Sequence, residues 1–282
     1  MSQIFATKTA ARADETVEGL RAQLAAVREH VREREARVRE REETIRLREA
    51  RVREMEGEVA ALRTGNEARW PEAELTPERV VERLEGWCTP RKAAWLARLV
   101  TETGARKIGE VGVYGGRSLL PMALAARGVE GAELWAVEPW SNEAAAASQT
   151  SEGNDFWWRN VEMARIRGGF LEAVRACGLS AMVRVVELTS DQARAAFVLD
   201  QGEGFDLLHI DGAHGEAQAL ADVRGWLALV RPGGVIVLDD IGWETVFKAR
   251  DFLRARCEVI EEVREEGEGL VTYGAYRVMR GV

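Results

Sequence analysis

The chain has 282 residues, enough for one large domain with an extension or for two modest domains. Hydrophobic residues make up 46% of it, which suits a globular core, and the net charge is −8. Since the acidic excess falls after residue 66, the sequence lacks the basic face that nucleic acid phosphates require, and we expect no nucleic acid partner.

Cysteine usage and the N-terminal residues bear on the cellular compartment. Cys88, Cys177 and Cys257 are far apart and form no C-x-x-C pair, so we expect reduced thiols rather than a disulfide framework or a zinc site. Residues 1–15 have no apolar segment typical of a signal peptide, and no run approaches the length of a membrane-spanning helix. The sequence therefore predicts a cytoplasmic protein with no membrane span.

Residues 17–62 follow a seven-residue repeat, clearest in "VREREAR" and "VREREET". Most a positions are β-branched, which favours a parallel dimeric coiled coil. Three d positions hold arginines, Arg34, Arg41 and Arg48, which weaken the seam or pack their stems along the partner. We expect residues 1–66 to form a coiled-coil stalk that makes the protein a homo-oligomer. A solitary charged helix held by Glu–Arg pairs is the alternative.

Two short helices are predicted after the stalk, in a helical neck over residues 67–104. The first begins at Pro77 and ends near Gly86. The second begins at Pro90 and ends near Thr103. Proline is favoured in the first turn of a helix because its ring presets the backbone and its missing N–H would have no partner there.

Strand-like runs alternate with helical stretches over residues 105–282. The runs lie at 107–113, 133–139, 183–188, 205–211 and 234–240, with two more near 257–263 and 270–279. Continuous apolar strands joined by helices favour a mainly parallel sheet covered on both faces. The predicted fold class is therefore α/β, a doubly wound, Rossmann-like sheet of seven strands. Ligands of such sheets bind at the carboxyl ends of the strands.

The ends of the first two strands carry candidate cofactor-binding residues. The segment "EVGVYGGRS", residues 110–118, has glycines where the backbone can turn tightly against a ligand. It lacks the G-x-G-x-x-G spacing of a dinucleotide site, and plain packing explains such a turn equally well. The second strand is followed by Glu138, where nucleotide-binding α/β folds place an acid against ribose hydroxyls. A helix-start acid is the alternative for Glu138.

Three acids follow two later strands. Asp211 ends the fourth run, and Asp239 and Asp240 end the fifth. Neighbouring strands would bring them to one rim, where crowded carboxylates usually share a proton or a cation. Oxygen ligands suit a hard ion such as Mg²⁺, with Mn²⁺ as the alternative. We expect these acids to bind a metal, although capping of the next helix also explains Asp239 and Asp240.

Two of the three histidines flank Asp211. His214 follows it by three residues in a turn, and its imidazole could accept a proton near neutral pH from a hydroxyl held by the ion. His209 precedes it by two residues inside an apolar strand. We expect His209 to be a core histidine bonded to the backbone or to a neighbour.

These residues together resemble class I S-adenosylmethionine-dependent methyltransferases, from about residue 107 onward. The segment "LVRPGGVIVLDDI", residues 229–241, is similar to the stretch that leads into the fifth strand of these enzymes. "HIDGAH" combined with "LDD" resembles the metal-dependent O-methyltransferases of the macrocin type, which methylate sugar hydroxyls. Catechol O-methyltransferases share that rim geometry, but they have an amide where Asp240 stands and a lysine where His214 stands.

The resemblance implies S-adenosylmethionine as a cofactor together with Mg²⁺ or Mn²⁺. It implies His214 as the catalytic base. The metal ligands that it implies are Asp211, Asp239 and Asp240. The cofactor-binding residues that it implies are Glu110, Gly112, Gly116, Ser118, Glu138, Ser190, Asp191 and Asp211.

The expected function is methyl transfer from S-adenosylmethionine to a hydroxyl of a sugar, a glycan or a sugar-bearing natural product. A cofactor-binding scaffold that acts through its coiled coil is one alternative. An NAD-dependent oxidoreductase is another, disfavoured by the missing pyrophosphate fingerprint. The Trp-rich residues 140–179 fit either a lid whose aromatic faces contact the acceptor or a helix packed on the sheet.

Overall fold

The computed structural model describes residues 69–146, 152–200, 204–266 and 270–279. The predicted coiled coil over residues 1–66 lies outside them. Among the described helices, none is long and apolar enough to cross a membrane. The three cysteines are buried free thiols, as predicted.

Seven strands form one sheet in the order β3-β2-β1-β4-β5-β7-β6. Strands β1 to β5 pair in parallel, and β7 runs antiparallel to both β5 and β6. The predicted seven-stranded, mainly parallel sheet is therefore confirmed. The strands are β1 (Lys107–Val111), β2 (Glu133–Val137), β3 (Val183–Val186), β4 (Phe205–Ile210), β5 (Val230–Asp239), β6 (Cys257–Glu266) and β7 (Leu270–Val278).

Helices cover both faces of the sheet, so the fold is doubly wound. Two buried apolar clusters hold the layers together, one beneath helices α2, α3 and α6 and the other beneath α7, α8 and α9. The helices are α1 (Pro77–Val80), α2 (Pro90–Thr103), α3 (Leu119–Ala126), α4 (Asn142–Ala146), α5 (Glu152–Asn160), α6 (Met163–Ala176), α7 (Ser190–Asp200), α8 (Glu216–Leu227) and α9 (Phe247–Arg254).

The first neck helix is shorter than predicted. Helix α1 ends at Val80, and a 3-10 turn at Val81–Arg83 follows it. Leu84 then adopts an extended backbone with φ −112° and ψ 148°, so the helix stops before Gly86. Leu84 is buried, and its extended backbone places its side chain in the core.

The second neck helix has the predicted bounds, and its cap fixes its first turn. The Thr89 hydroxyl accepts the backbone N–H of Lys92 at 3.0 Å, and Pro90 begins the helix. The Thr89 hydroxyl also donates to Glu265 at 2.8 Å, which ties the helix start to strand β6. This cap places Lys92 in the first turn of the helix, where its side chain meets Asp239 at the end of β5.

Strand β5 begins earlier than the predicted run at 234–240. Val230 already pairs with Phe205 of β4, and an irregularity in register follows before Leu207 pairs with Val235. The glycine and proline of "RPGG" therefore lie within an irregular strand rather than before it. The strand ends at Asp239, so Asp240 lies just beyond the sheet.

Candidate active site

Three residues beyond the strand ends have left-handed backbones. Tyr114 follows β1 with φ 47°, Trp140 follows β2 with φ 41°, and Asp240 follows β5 with φ 50°. Such conformations cost non-glycine residues roughly 1–3 kcal/mol each and persist only where the surroundings hold them. Strain thus gathers at the sheet edge where ligands of doubly wound folds bind.

Glu138 holds two of these strained positions. Its carboxylate accepts the backbone N–H of Tyr114 at 3.1 Å and that of Trp140 at 3.0 Å. The Trp140 indole donates to the Tyr114 carbonyl at 2.9 Å, so the ends of β1 and β2 are tied together. Burial raises the pKa of Glu138 even though those backbone N–H groups lower it. The predicted ribose-binding acid therefore stands at the expected strand end, already oriented.

The glycines after β1 allow close packing of the turn. Gly112 has φ +87°, and a Cβ there would lie 2.1 Å from the Asp211 carbonyl oxygen. A Cβ on Gly116 would lie 2.6 Å from the Phe170 ring. Contacts within the chain thus require both glycines, as the packing alternative expected.

Glu110 and His209 form a buried pair inside the sheet. They are register partners on β1 and β4, and His209 Nδ1 lies 2.9 Å from Glu110 Oε1. Ser118 Oγ donates to the same Glu110 oxygen. Within the described part of the chain, Glu110 Oε2 has no hydrogen-bond partner. The structure therefore brings the predicted cofactor residues Glu110 and Ser118 together, and it makes His209 the expected core histidine.

Lys92, which was not predicted from the sequence, reaches two of the three acids. Lys92 Nζ donates to Asp239 Oδ2 and lies 3.7 Å from Asp211 Oδ2. The Lys92 side chain is only 2% exposed. Asp239 Oδ1 accepts the backbone N–H of Asp240 at 2.9 Å, so both oxygens of that carboxylate are engaged.

The charges of this cluster reinforce one another. Burial opposes ionisation of Asp239, but Lys92 and His209 hold its pKa well below the usual range. Burial also opposes the charge on Lys92, yet the attraction of Asp239 and Asp211 raises its pKa. Burial and the Asp239 charge raise the pKa of Asp211, and Lys92 offsets this only in part. Lys92 and Asp239 are thus a firm ion pair, and Asp211 is the weaker acid.

His214 lies close to two of the three acids, Asp240 and Asp211. Its Nε2 lies 2.8 Å from Asp240 Oδ2 and 3.8 Å from Asp211 Oδ1. The imidazole packs on Trp243, with ring centroids 5.2 Å apart, and about a quarter of it is exposed. The predicted base and the three predicted metal ligands therefore share one rim, joined through Lys92 and His214.

The donor set suits a hard cation, but the space beside it is taken. Carboxylate oxygens are the ligands that Mg²⁺ and Mn²⁺ prefer. The Lys92 ammonium, however, already contacts Asp239 and lies beside Asp211. These residues as they stand do not fit a divalent ion between Asp211 and Asp239. A different group, Glu110, His209 and Asp211, has ligand atoms within 4.8 Å of one another, and it too lies against the buried sheet.

The predicted adenine-side residues differ in their surroundings. Ser190 Oγ donates to the buried Asp222 carboxylate and accepts from the Trp226 indole at 2.8 Å. Asp191 is exposed and bonds Arg194 at 2.6 Å. Asp222 was not predicted from the sequence. It lies on the inner face of α8, and its Oδ2 has no hydrogen-bond partner among the described residues.

We expect Asp222→Asn to stabilise the fold at neutral pH. Burial raises the pKa of Asp222 to about 6 from 3.8, since it outweighs the bonds from Ser190 and Gln218. The folded state therefore favours the protonated acid. The stabilisation from this proton is complete below the pKa that Asp222 has in the unfolded chain. It is lost as pH rises through the pKa of the folded chain, and the loss reaches roughly 3 kcal/mol by pH 7. An amide oxygen can still accept the bonds from Ser190 and Gln218.

Thermal melts across pH 4 to 7.5 check this. The variant should gain stability over the natural chain at pH 7 and match it near pH 4. Exposed Asp191→Asn is the matched control, with an expected change within about 0.5 kcal/mol at every pH. Equal pH dependence in Asp222→Asn and the natural chain would contradict the assignment.

The Trp-rich insertion divides between the two predicted roles. Trp140 is buried and packs on Phe170, with centroids 5.5 Å apart. Trp157 and Trp158 instead cluster with Trp87 and with Tyr114 at the end of β1. Trp87 is 64% exposed and Trp157 is 39% exposed. Trp140 thus serves the core, and Trp158 packs partly buried against it. Trp157 and Trp87 form an exposed aromatic wall beside the end of β1.

Known proteins resemble this chain in one domain and in fold. Residues 110–241 match a family model described as a methyltransferase domain. No curated protein matches the chain in sequence. An O-methyltransferase from Bacillus cereus, solved with S-adenosylhomocysteine, shares 20% sequence identity with this chain at a TM-score of 0.54. The alignment covers 74% of this chain and 92% of the Bacillus cereus chain.

A second solved structure has a similar fold. TomG from Streptomyces achromogenes, an O-methyltransferase involved in tomaymycin synthesis and solved with S-adenosylmethionine, shares 17% identity at a TM-score of 0.54. The alignment covers 79% of this chain and 96% of TomG. Residues 110–241 therefore match a methyltransferase domain, and the chain has the fold of these solved O-methyltransferases.

Proposed function

We propose that this protein transfers a methyl group from S-adenosylmethionine to a hydroxyl oxygen of a sugar, a glycan or a sugar-bearing natural product. The observation that carries the proposal is His214, which stands at the carboxyl ends of the strands with its Nε2 directed at Asp240. A partly exposed imidazole oriented by a carboxylate is the arrangement that general-base catalysis on a hydroxyl requires.

The cofactor would lie along the ends of β1, β2 and β4. When bound, it supplies an electrophilic methyl group on a sulfonium. Glu110 Oε2 is a buried acceptor without a partner among the described residues, and it suits an ammonium group. Glu138, held by two backbone N–H groups, suits ribose hydroxyls. Asp222 Oδ2 is a further unpartnered buried acceptor, placed behind Ser190 on the proposed adenine side.

His214 would remove the proton from the acceptor. With Nε2–H donating to Asp240, the neutral ring accepts protons at Nδ1. The Asp240 and Asp211 carboxylates then stabilise the imidazolium that forms. The deprotonated oxygen would then attack the methyl carbon in line, so that the O–CH3 bond forms as the S–CH3 bond breaks and S-adenosylhomocysteine leaves. The rigid strand ends would supply the alignment. No step of this scheme passes through a metal ion.

The acceptor class rests on two features of the rim. The exposed faces of Trp87 and Trp157 suit the flat, apolar side of a sugar or aromatic ring. Trp243, 39% exposed, offers a second such face beside His214. The sugar-modifying assignment itself comes from the "HIDGAH" and "LDD" resemblance, and it stays a proposal.

A methyl-transfer assay tests the proposal. The full chain is incubated with methyl-labelled S-adenosylmethionine and panels of sugars, glycosides, catechols and amines. Label on a sugar hydroxyl is the expected result. Label only on catechols would overturn the sugar assignment, and label only on amines would overturn O-methylation. A scaffold that merely binds the cofactor would transfer none.

Several predictions from the sequence go with this proposal. The coiled-coil stalk over residues 1–66, homo-oligomer formation through 17–62 and the division at residues 67 and 105 stay predictions. So does the cytoplasmic location. A metal requirement for Mg²⁺ or Mn²⁺ also stays a prediction from the sequence, and the position of Lys92 argues against it.

A further inference from the structure

We propose that the Lys92 ammonium takes the place of a divalent cation beside Asp211 and Asp239, so that methyl transfer by this chain needs no added metal. The proposal rests on the proposed methyltransferase function. Lys92 acts on the reaction through the acids and is a positioning residue. The Lys92 side chain is buried, so it contacts the acids of the rim from the protein interior.

The position of Lys92 is built into the fold rather than chosen by a flexible side chain. The Thr89 cap and Pro90 fix the first turn of α2. Trp95 and Leu96, one turn further along the same helix face, are buried in the core. The Tyr273 ring lies 5.8 Å from Lys92 Nζ on the sheet side. The ammonium is therefore directed at the strand ends by a helix that is capped and packed.

The contacts of Lys92 are those expected of a resident cation. Its Nζ bonds Asp239 Oδ2 and faces Asp211 Oδ2 at 3.7 Å, thereby offsetting the repulsion between the two acids. A divalent ion held by the same acids would stand beside a buried ammonium. Like charges so placed repel strongly in a low-dielectric site.

The rim is then complete without a further ion. Lys92 neutralises Asp239, whose other oxygen orients the backbone of Asp240 through its N–H. Asp240, held in its left-handed conformation, directs His214. The ammonium thereby keeps the acids and the base in one arrangement. Removing it should leave an uncompensated carboxylate pair that a divalent ion could satisfy.

The test measures Mn²⁺ binding and turnover together on the full chain, after exhaustive dialysis against EDTA. Free Mn²⁺ is followed by electron paramagnetic resonance for the natural chain, for Lys92→Met and for Lys248→Met. Lys248 is an exposed lysine of α9 that pairs with Glu216 of α8, and it serves as the matched control. Turnover is measured in EDTA and in Mn²⁺ with an acceptor that the natural chain methylates.

We expect the natural chain and Lys248→Met to keep their turnover in EDTA within about twofold and to bind no Mn²⁺ at micromolar concentration. Lys92→Met should bind one Mn²⁺ per chain and lose about tenfold or more of its turnover in EDTA, with recovery in Mn²⁺. A residue that only fills the core would not create a metal site when replaced.

Other results would overturn the proposal. These are one Mn²⁺ bound tightly by the natural chain, loss of its turnover in EDTA, or a folded Lys92→Met variant that gains no Mn²⁺ binding. Should Lys92→Met fail to fold, the two measurements on the natural chain still decide. If no acceptor is methylated in any condition, the proposed function fails, and Mn²⁺ binding still tests the role of Lys92.

Discussion

His214→Ala should lower turnover by roughly 10²–10⁴-fold, the usual cost of removing a general base. Cofactor affinity should stay nearly unchanged, because His214 bonds Asp240 and packs on Trp243 rather than on the ends of β1 or β2. Steady-state kinetics with the identified acceptor, together with calorimetric titration of S-adenosylhomocysteine, measure the two quantities separately.

His209→Ala is the matched histidine control. His209 is fully buried and bonds Glu110 inside the sheet, so its loss should lower the melting temperature rather than the turnover of the folded fraction. If His214→Ala kept most of its turnover at neutral pH, the base would lie elsewhere. The imidazole would then only orient the acceptor.

Gly112→Ala should be the most destabilising single methyl added to the described glycine turn. The new Cβ would meet the Asp211 carbonyl at 2.1 Å, and φ +87° is unfavourable for alanine. The left-handed backbone costs about 1–2 kcal/mol and the overlap about 1–3 more. The melting temperature should fall by roughly 5–15 °C, and cofactor affinity should fall with it because the ends of β1 and β4 are pushed apart.

Two other glycines separate the contributions to that effect. Gly104 has φ +62° with nothing within 4 Å of a built Cβ, so Gly104→Ala should show the backbone cost alone, about 1–2 kcal/mol. Gly128 has neither a left-handed backbone nor a close neighbour, and Gly128→Ala should be near neutral. Equal stability losses in all three variants would contradict the packing of Gly112 against Asp211.

The sheet could be predicted from the sequence because its strands are short apolar runs separated by helices. That pattern marks where a strand lies without reference to the rest of the chain. The C-terminal end of α1 and the start of β5 were less well predicted. The helix stops because Leu84 is needed in the core, and β5 starts early because Val230 finds a partner in Phe205. Both depend on tertiary contacts.

The candidate site was predicted in part for the same reason. Asp211, Asp239, Asp240 and His214 stand at strand ends, and strand order alone brings such residues together. Lys92 comes from a helix far earlier in the chain. Its signal was present, because Lys92 shares the helical spacing of the buried residues Trp95, Leu96, Leu99 and Val100.

A lysine on the apolar face of a helix therefore indicates that a buried acid pairs with it. Asp222 shows the same pattern on α8, where it lies one turn before the buried Trp226. Local spacing identifies such residues as inward-facing. The identity of their partners depends on how the helix packs across the sheet, which local spacing does not specify.

Calorimetric titration of the full chain with S-adenosylhomocysteine and, separately, with NAD⁺ distinguishes a methyltransferase from an oxidoreductase. We expect one S-adenosylhomocysteine bound per chain, with weaker binding in Glu138→Ala, and no heat from NAD⁺. Binding of NAD⁺ without binding of S-adenosylhomocysteine would contradict the assignment of this site to methyl transfer.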